Sequence, residues 1–144
     1  MFSGIVEQLC LGVALKESNL KSANKLALWN IDQAAGAALK LYAFQHELET
    51  STRDVFASVL PKVTDQNLII KSDEKAIMKC HKISDEISFS NSEVETRLVD
   101  EYITLVKIPL AYLHDYRASK AEWTEMVKNM RKSFPRNGFL GCLL

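Results

Sequence analysis

The sequence predicts an all-α protein, an elongated antiparallel coil or bundle of long amphipathic helices. Three observations predict it. Chain breakers are rare, with five Gly and three widely separated Pro in 144 residues. Apolar residues recur at spacings of three, four and seven, the mark of one helical face. Hydrophobic residues make up 47% and charged residues 25%, a balance suited to a folded chain and not to a disordered one. A β-rich fold would need many more turn-forming residues. At this length the chain is expected to form a single helical domain over residues 1–144.

The first element is a short amphipathic helix over residues 1–15. Phe2, Ile5, Val6, Leu9 and Val13 fall at helical spacing, with Gly12 softening the end. Two roles suit it. One is a helix that caps the core; the other is a membrane-interface wedge with Cys10 as a palmitoylation site.

A first long helix is expected over residues 18–60. Ala34, Ala37, Leu41, Phe44, Leu48, Val55 and Val59 share one face, and Tyr42 and Phe56 widen it. Pro61 should end this helix, because proline lacks the backbone donor and crowds the preceding turn. Residues 61–67 then read as the connection.

A second long helical segment is expected over residues 68–134. Its stripe includes Ile77, Cys80, Ile83, Ile87, Val94, Leu98, Leu105, Ile108, Tyr112, Tyr116, Trp123, Val127, Met130 and Phe134. Unbroken, it would be a rod of about 100 Å at ~1.5 Å rise per residue. Two interruptions compete. Residues 88–92 are poor helix interior, and Ser92 with Glu95 has capping-box spacing. Pro109 predicts a kink within the second helix. Residues 135–144 form a tail that ends apolar.

Charge narrows the partners. The 18 basic and 18 acidic residues cancel, which argues against a general nucleic-acid binder. Residues 101–144 nevertheless hold seven basic against four acidic side chains, a local positive excess. Three cysteines cannot all pair, and the simplest compartment for them is a reducing, cytoplasmic one. No signal peptide or membrane-spanning run is evident.

Chemistry-bearing motifs are scarce. His46, His81 and His114 lie far apart, only Cys80 and His81 are adjacent, and no ligand spacing for a metal is present. No phosphate-binding glycine loop or nucleophile elbow occurs. Acid pairs such as Asp73-Glu74, Asp85-Glu86 and Asp100-Glu101 read as solvated helix faces. The expectation is therefore no catalytic residue, no metal and no cofactor. The basic cluster Arg117, Lys120, Lys128, Arg131, Lys132 and Arg136 has two readings. It offsets a helix dipole, or it contacts anionic lipid headgroups.

The run Glu93-Val94-Glu95 leading through Leu105-Val106-Lys107-Ile108-Pro109-Leu110 to Tyr112, followed by the basic residues Arg117 and Lys120, resembles part of the BAR-domain superfamily. Within it the likeness is greatest to the ciliary BAR-domain-containing proteins, over about residues 35–132. The resemblance implies a homodimer of kinked helices and a curved, membrane-binding surface, peripheral to the membrane or at the ciliary base. The opening residues 1–7 also resemble the start of riboflavin synthase, but a helical remainder cannot build that enzyme's β-barrels.

The leading expectation is thus a BAR-like module. It would self-associate through Leu41, Phe44, Leu48, Leu98, Leu105 and Ile108, and bind anionic membrane or a partner coil through the basic cluster. The alternative is a compact helical-bundle adaptor that does not bind lipid, and a small enzyme is the third class. Helix continuity through residues 88–92 separates the first two.

Overall fold

The computed structural model describes residues 2–18, 21–50, 54–90 and 92–134. Among them are six helices and no strand: α1 (Phe2–Glu17), α2 (Lys21–Gln45), α3 (Val55–Asp65), α4 (Lys71–Ser88), α5 (Thr96–His114) and α6 (Lys120–Lys132). The all-helical class is as expected. The lengths are not: the helix expected over 18–60 is divided between α2 and α3, and the segment over 68–134 between α4, α5 and α6.

Each division has a local cause. Helix α2 ends in a Schellman turn, with Glu47 in the left-handed region (φ 53°) and Leu48 donating its N–H to the Ala43 carbonyl at 2.9 Å. Leu48 lies on the apolar stripe because it is the residue after such a turn that packs back on the helix. Asp54 then caps α3, accepting from the N–H groups of Phe56 and Ala57. Contrary to expectation, Pro61 lies inside α3 and does not end it. The helix runs on because proline removes a single backbone bond, whereas Phe56, Val59, Leu60 and Val63 bury a complete apolar face. It ends six residues past Val59 at Asp65, and a second Schellman turn through Asn67 (φ 60°) follows.

The break near residue 90 is a reversal. Asn24 of α2 donates to the Val94 carbonyl at 3.0 Å and to Thr96 Oγ1 at 3.1 Å, and Lys25 donates to the Ser90 carbonyl. These bonds pin the turn to the start of α2 and aim α5 back along it. The N-cap of α5 is Glu95, without a side-chain bond, so Ser92 forms no capping box. The capping box lies at Ser119 and Glu122 and opens α6. Between α5 and α6, Asp115 takes the left-handed conformation (φ 52°) that ends α5.

Helix α2 is the axis of the core. Its small buried residues Ala23, Ala27, Ala34, Ala35 and Ala38 let α1 and α5 approach closely. On α1, a Cβ at Gly12 would lie 2.7 Å from Ile31 Cγ1 and 3.1 Å from the Ala27 carbonyl oxygen. Val99, Tyr102, Val106 and Leu110 of α5 pack into the same core. Helix α6 covers α1 from the other side, where Val6, Cys10 and Ala14 meet Val127. Of the two roles for the first helix, burial of Ile5, Leu9 and Leu15 supports the core-capping one. Among the described residues, no helix is long and apolar enough to cross a membrane.

Candidate functional site

The folded-back arrangement brings four helices to one polar centre. Helix α2 contributes Asp32, a carboxylate only 5% exposed within an otherwise alanine-rich face. Helix α4 presents His81 and, one turn on, Asp85. Asp54 comes from the N-cap of α3, Phe56 from its first turn, and Tyr102 from the middle of α5.

The geometry is specific. Tyr102 donates its hydroxyl to Asp32 Oδ1 at 2.5 Å, and His81 Nδ1 lies 3.0 and 3.2 Å from the two Asp32 oxygens. Carboxylates only accept, so Nδ1 carries a proton and donates it to Asp32. The other nitrogen, Nε2, stands 3.4 Å from Asp54 Oδ1 and 3.7 Å from Asp85 Oδ2. Phe56 stacks flat on the imidazole, with ring centres 3.8 Å apart and planes at 8°. Gly36 of α2 makes room for that ring, since a Cβ there would lie 3.2 Å from Phe56 Cε2.

Above this centre is a cavity of about 350 Å³. Asp32, Asp54, His81 and Asp85 line it together with Gln8, Gln33 and Lys40. Burial works against the imidazolium form of His81. The hydrogen bond and charge of Asp32, supported by Asp85 and Asp54, outweigh burial and hold the pKa above the usual histidine range. For Tyr102, burial and then the neighbouring Asp32 charge push the phenol well above its ordinary value. No buried side-chain nitrogen or oxygen among the described residues lacks a hydrogen-bond partner.

The centre combines a histidine with several carboxylates. Asp32, His81 and Asp85 each place a potential ligand atom within 4.8 Å of the others. In the sequence His81 stands out only by its neighbour Cys80, yet Cys80 is buried in the core, where desolvation pushes its thiol up to about 11. The partners of His81 lie 49 residues away at Asp32 and 27 away at Asp54, beyond any local pattern. Two signals were present in the sequence: a lone acid within an alanine-rich helical stretch, and His81 with Asp85 one turn apart on the same helix.

The residues expected to bind membrane are all on the surface where described. Arg117 lies between α5 and α6, and Lys120, Lys128, Arg131 and Lys132 are on α6. Arg117 pairs with Asp115 at 3.4 Å, and Arg131 lies 3.8 Å from Glu17. Arg136 falls outside the described residues, as does the 135–144 tail. The set expected to mediate self-association is not one exposed face. Leu105 is buried in the core, Leu41, Leu48, Leu98 and Ile108 are half-buried against it, and Phe44 alone of the six is strongly exposed, at 83%. Leu105 is drawn inside because the reversal near residue 90 lays α5 against α2. Cys10 is likewise buried, between α1 and α6, and desolvation raises its thiol to about 11, an environment without thiolate character.

In comparisons with known proteins, no family model, no curated protein and no solved structure matches the chain.

Proposed function

We propose that the chain is a helical-bundle binding protein, not a catalyst, and that it takes a small cationic ligand in the acid-lined cavity over His81. The observation that carries this reading is the framing of one imidazole. Asp32 fixes Nδ1, Phe56 covers a ring face, and Nε2 is left beside the Asp54 and Asp85 carboxylates at the cavity. Three carboxylates against Lys40 and one imidazolium leave a net negative lining that attracts cations. No serine, threonine or cysteine is among the described lining residues, so the histidine has no adjacent nucleophile to activate. The bundle form agrees with the second of the two sequence readings. A bend at Pro109 belongs to the same proposal, and Pro109→Ala should straighten α5 in a crystal structure.

Titrating the isotopically labelled chain with guanidinium tests the reading. Shift changes should concentrate at Gln8, Gln33, Gly36, His81 and Asp85 and vanish in the Asp54→Asn/Asp85→Asn double variant. Shifts spread evenly over the surface, or none at all, would remove the cavity as a ligand site.

Exposure of the five described basic residues favours a second role, contact with an anionic membrane through the α6 surface. Each charge near such a surface adds about 1 kcal/mol before screening. Co-sedimentation should require anionic lipid and weaken in Lys128→Glu/Arg131→Glu. Equal binding to neutral vesicles would contradict that role.

A further inference from the structure

Resting on the cation-site reading, we infer that the ligand is a small amphipathic amine, with its ammonium in the acid-lined cavity and its apolar body in the adjoining groove of α1 and α2 against Leu41 and Phe44. The cavity does not end at its carboxylates. Ala37 and Lys40 of α2 line both it and a neighbouring groove of about 420 Å³, whose other walls are Ile5 of α1 and Leu41 and Phe44 of α2. On α1, Gln8 lines the cavity and Ile5, three residues earlier, lines the groove. The two spaces therefore form one channel along α2, acidic at the Asp32 end and apolar at the Phe44 end. From Gly36 to Phe44 the helix rises about 12 Å at ~1.5 Å per residue. Each space falls in the range of about 300–1,000 Å³ typical of small-molecule sites.

Charge sets which end of the ligand enters the cavity. Asp32 is occupied by Tyr102 and His81. Asp54 and Asp85, with side chains 41% and 69% exposed, are the carboxylates open to an incoming ammonium, which needs only one of them as a hydrogen-bond partner. An anionic head would meet the same three carboxylates and be repelled. Lys40 is exposed, so its alkyl stem adds to the apolar wall while its ammonium stays in water. Phe44, at 83% exposure, has the most apolar surface to gain from a covering hydrocarbon. The described groove lining offers no polar side chain besides Lys40. An extended peptide there would leave backbone groups unpaired, and a hydrocarbon would not.

The test is NMR titration of the labelled full chain with a ladder of methyl-, butyl- and octylammonium, each below its micelle-forming concentration, beside octanol and octanoate. Affinity should rise about two- to fourfold per added methylene, so octylammonium should bind at least about thirtyfold tighter than methylammonium. Shifts should start at His81, Asp85 and Gln8 and spread to Ile5, Leu41 and Phe44 as the chain lengthens. Phe44→Ser changes an exposed position and should reduce the gain with chain length while guanidinium still shifts the cavity residues. Asp54→Asn/Asp85→Asn, in which asparagine can still cap α3, should lower octylammonium affinity to that of octanol. Guanidinium shifts at the cavity with no gain along the ladder would overturn the inference and leave the cation-site reading standing. Octanol or octanoate binding as tightly as octylammonium would also overturn it, because the groove would then act without the carboxylates. Sedimentation showing a dimer that Phe44→Ser dissociates would give the groove to a second copy and overturn it as well. Absence of any response to guanidinium and to the whole ladder would remove both readings.

Discussion

Asp32 is the residue on which the polar centre depends, because it accepts from two different helices while itself almost out of water. A buried carboxylate is tolerable only when its oxygens are engaged. Tyr102→Phe keeps the shape of the ring and removes one donor, so it should destabilise the fold by about 1.5–3 kcal/mol, the range for hydrogen bonds to charged groups. Denaturant unfolding at neutral pH measures this; a loss below about 0.5 kcal/mol would mean that water replaces the hydroxyl. The histidine has its own signature. Its folded-state pKa lies above the unfolded value, so the folded state holds the proton more tightly. The stabilisation is complete below the unfolded pKa of about 6.5 and is lost as pH rises through the raised folded value. Unfolding midpoints should therefore decline over that window in the wild-type chain, and the decline should flatten in His81→Gln.

At the scale of elements, the sequence was legible in part. The periodicity that predicts helix is correct for α1, α2, α4, α5 and α6, because a 3.6-residue stripe is a local property. Where the helices stop is less local. The stripe continues in register across residues 46–54 and 89–95, since Leu48 and Val94 are apolar for reasons other than helix: one packs behind a Schellman turn, the other is buried in the reversal. Pro61 misleads in the opposite direction, as one missing donor is outweighed by four buried side chains. The capping box at Ser119 and Glu122 could have been read from the sequence and marks the start of α6. The contact of α1 with α2 offers a clean test. Gly12→Ala sets a methyl 2.7 Å from Ile31 Cγ1, with the Ala27 backbone at 3.1 Å behind it. That overpacking should cost about 1–3 kcal/mol by denaturant unfolding, with Ile31→Val recovering part of it. A neutral Gly12→Ala would mean that the two helices lie farther apart.

For the whole molecule, the turns after α2, after α3 and near residue 90 together turn two expected rods into a bundle, and together they assemble the site. Asp32 and His81 are 49 positions apart and Asp32 and Tyr102 are 70 apart, so their meeting requires α4 and α5 both to return along α2. No spacing rule in one sequence contains that information, which is why the helical class could be read and the polar centre could not. The most direct measurement of the account is the nitrogen-detected NMR titration of His81 in the wild-type chain and in Asp32→Asn. In the wild type His81 should have a neutral form protonated at Nδ1 and a pKa above about 6.5, and Asp32→Asn should lower that pKa markedly, because burial is then no longer opposed by the nearest charge. A His81 that titrates at the same pH in both proteins would mean that α2 and α4 do not meet at this centre, and would contradict the fold and the site together.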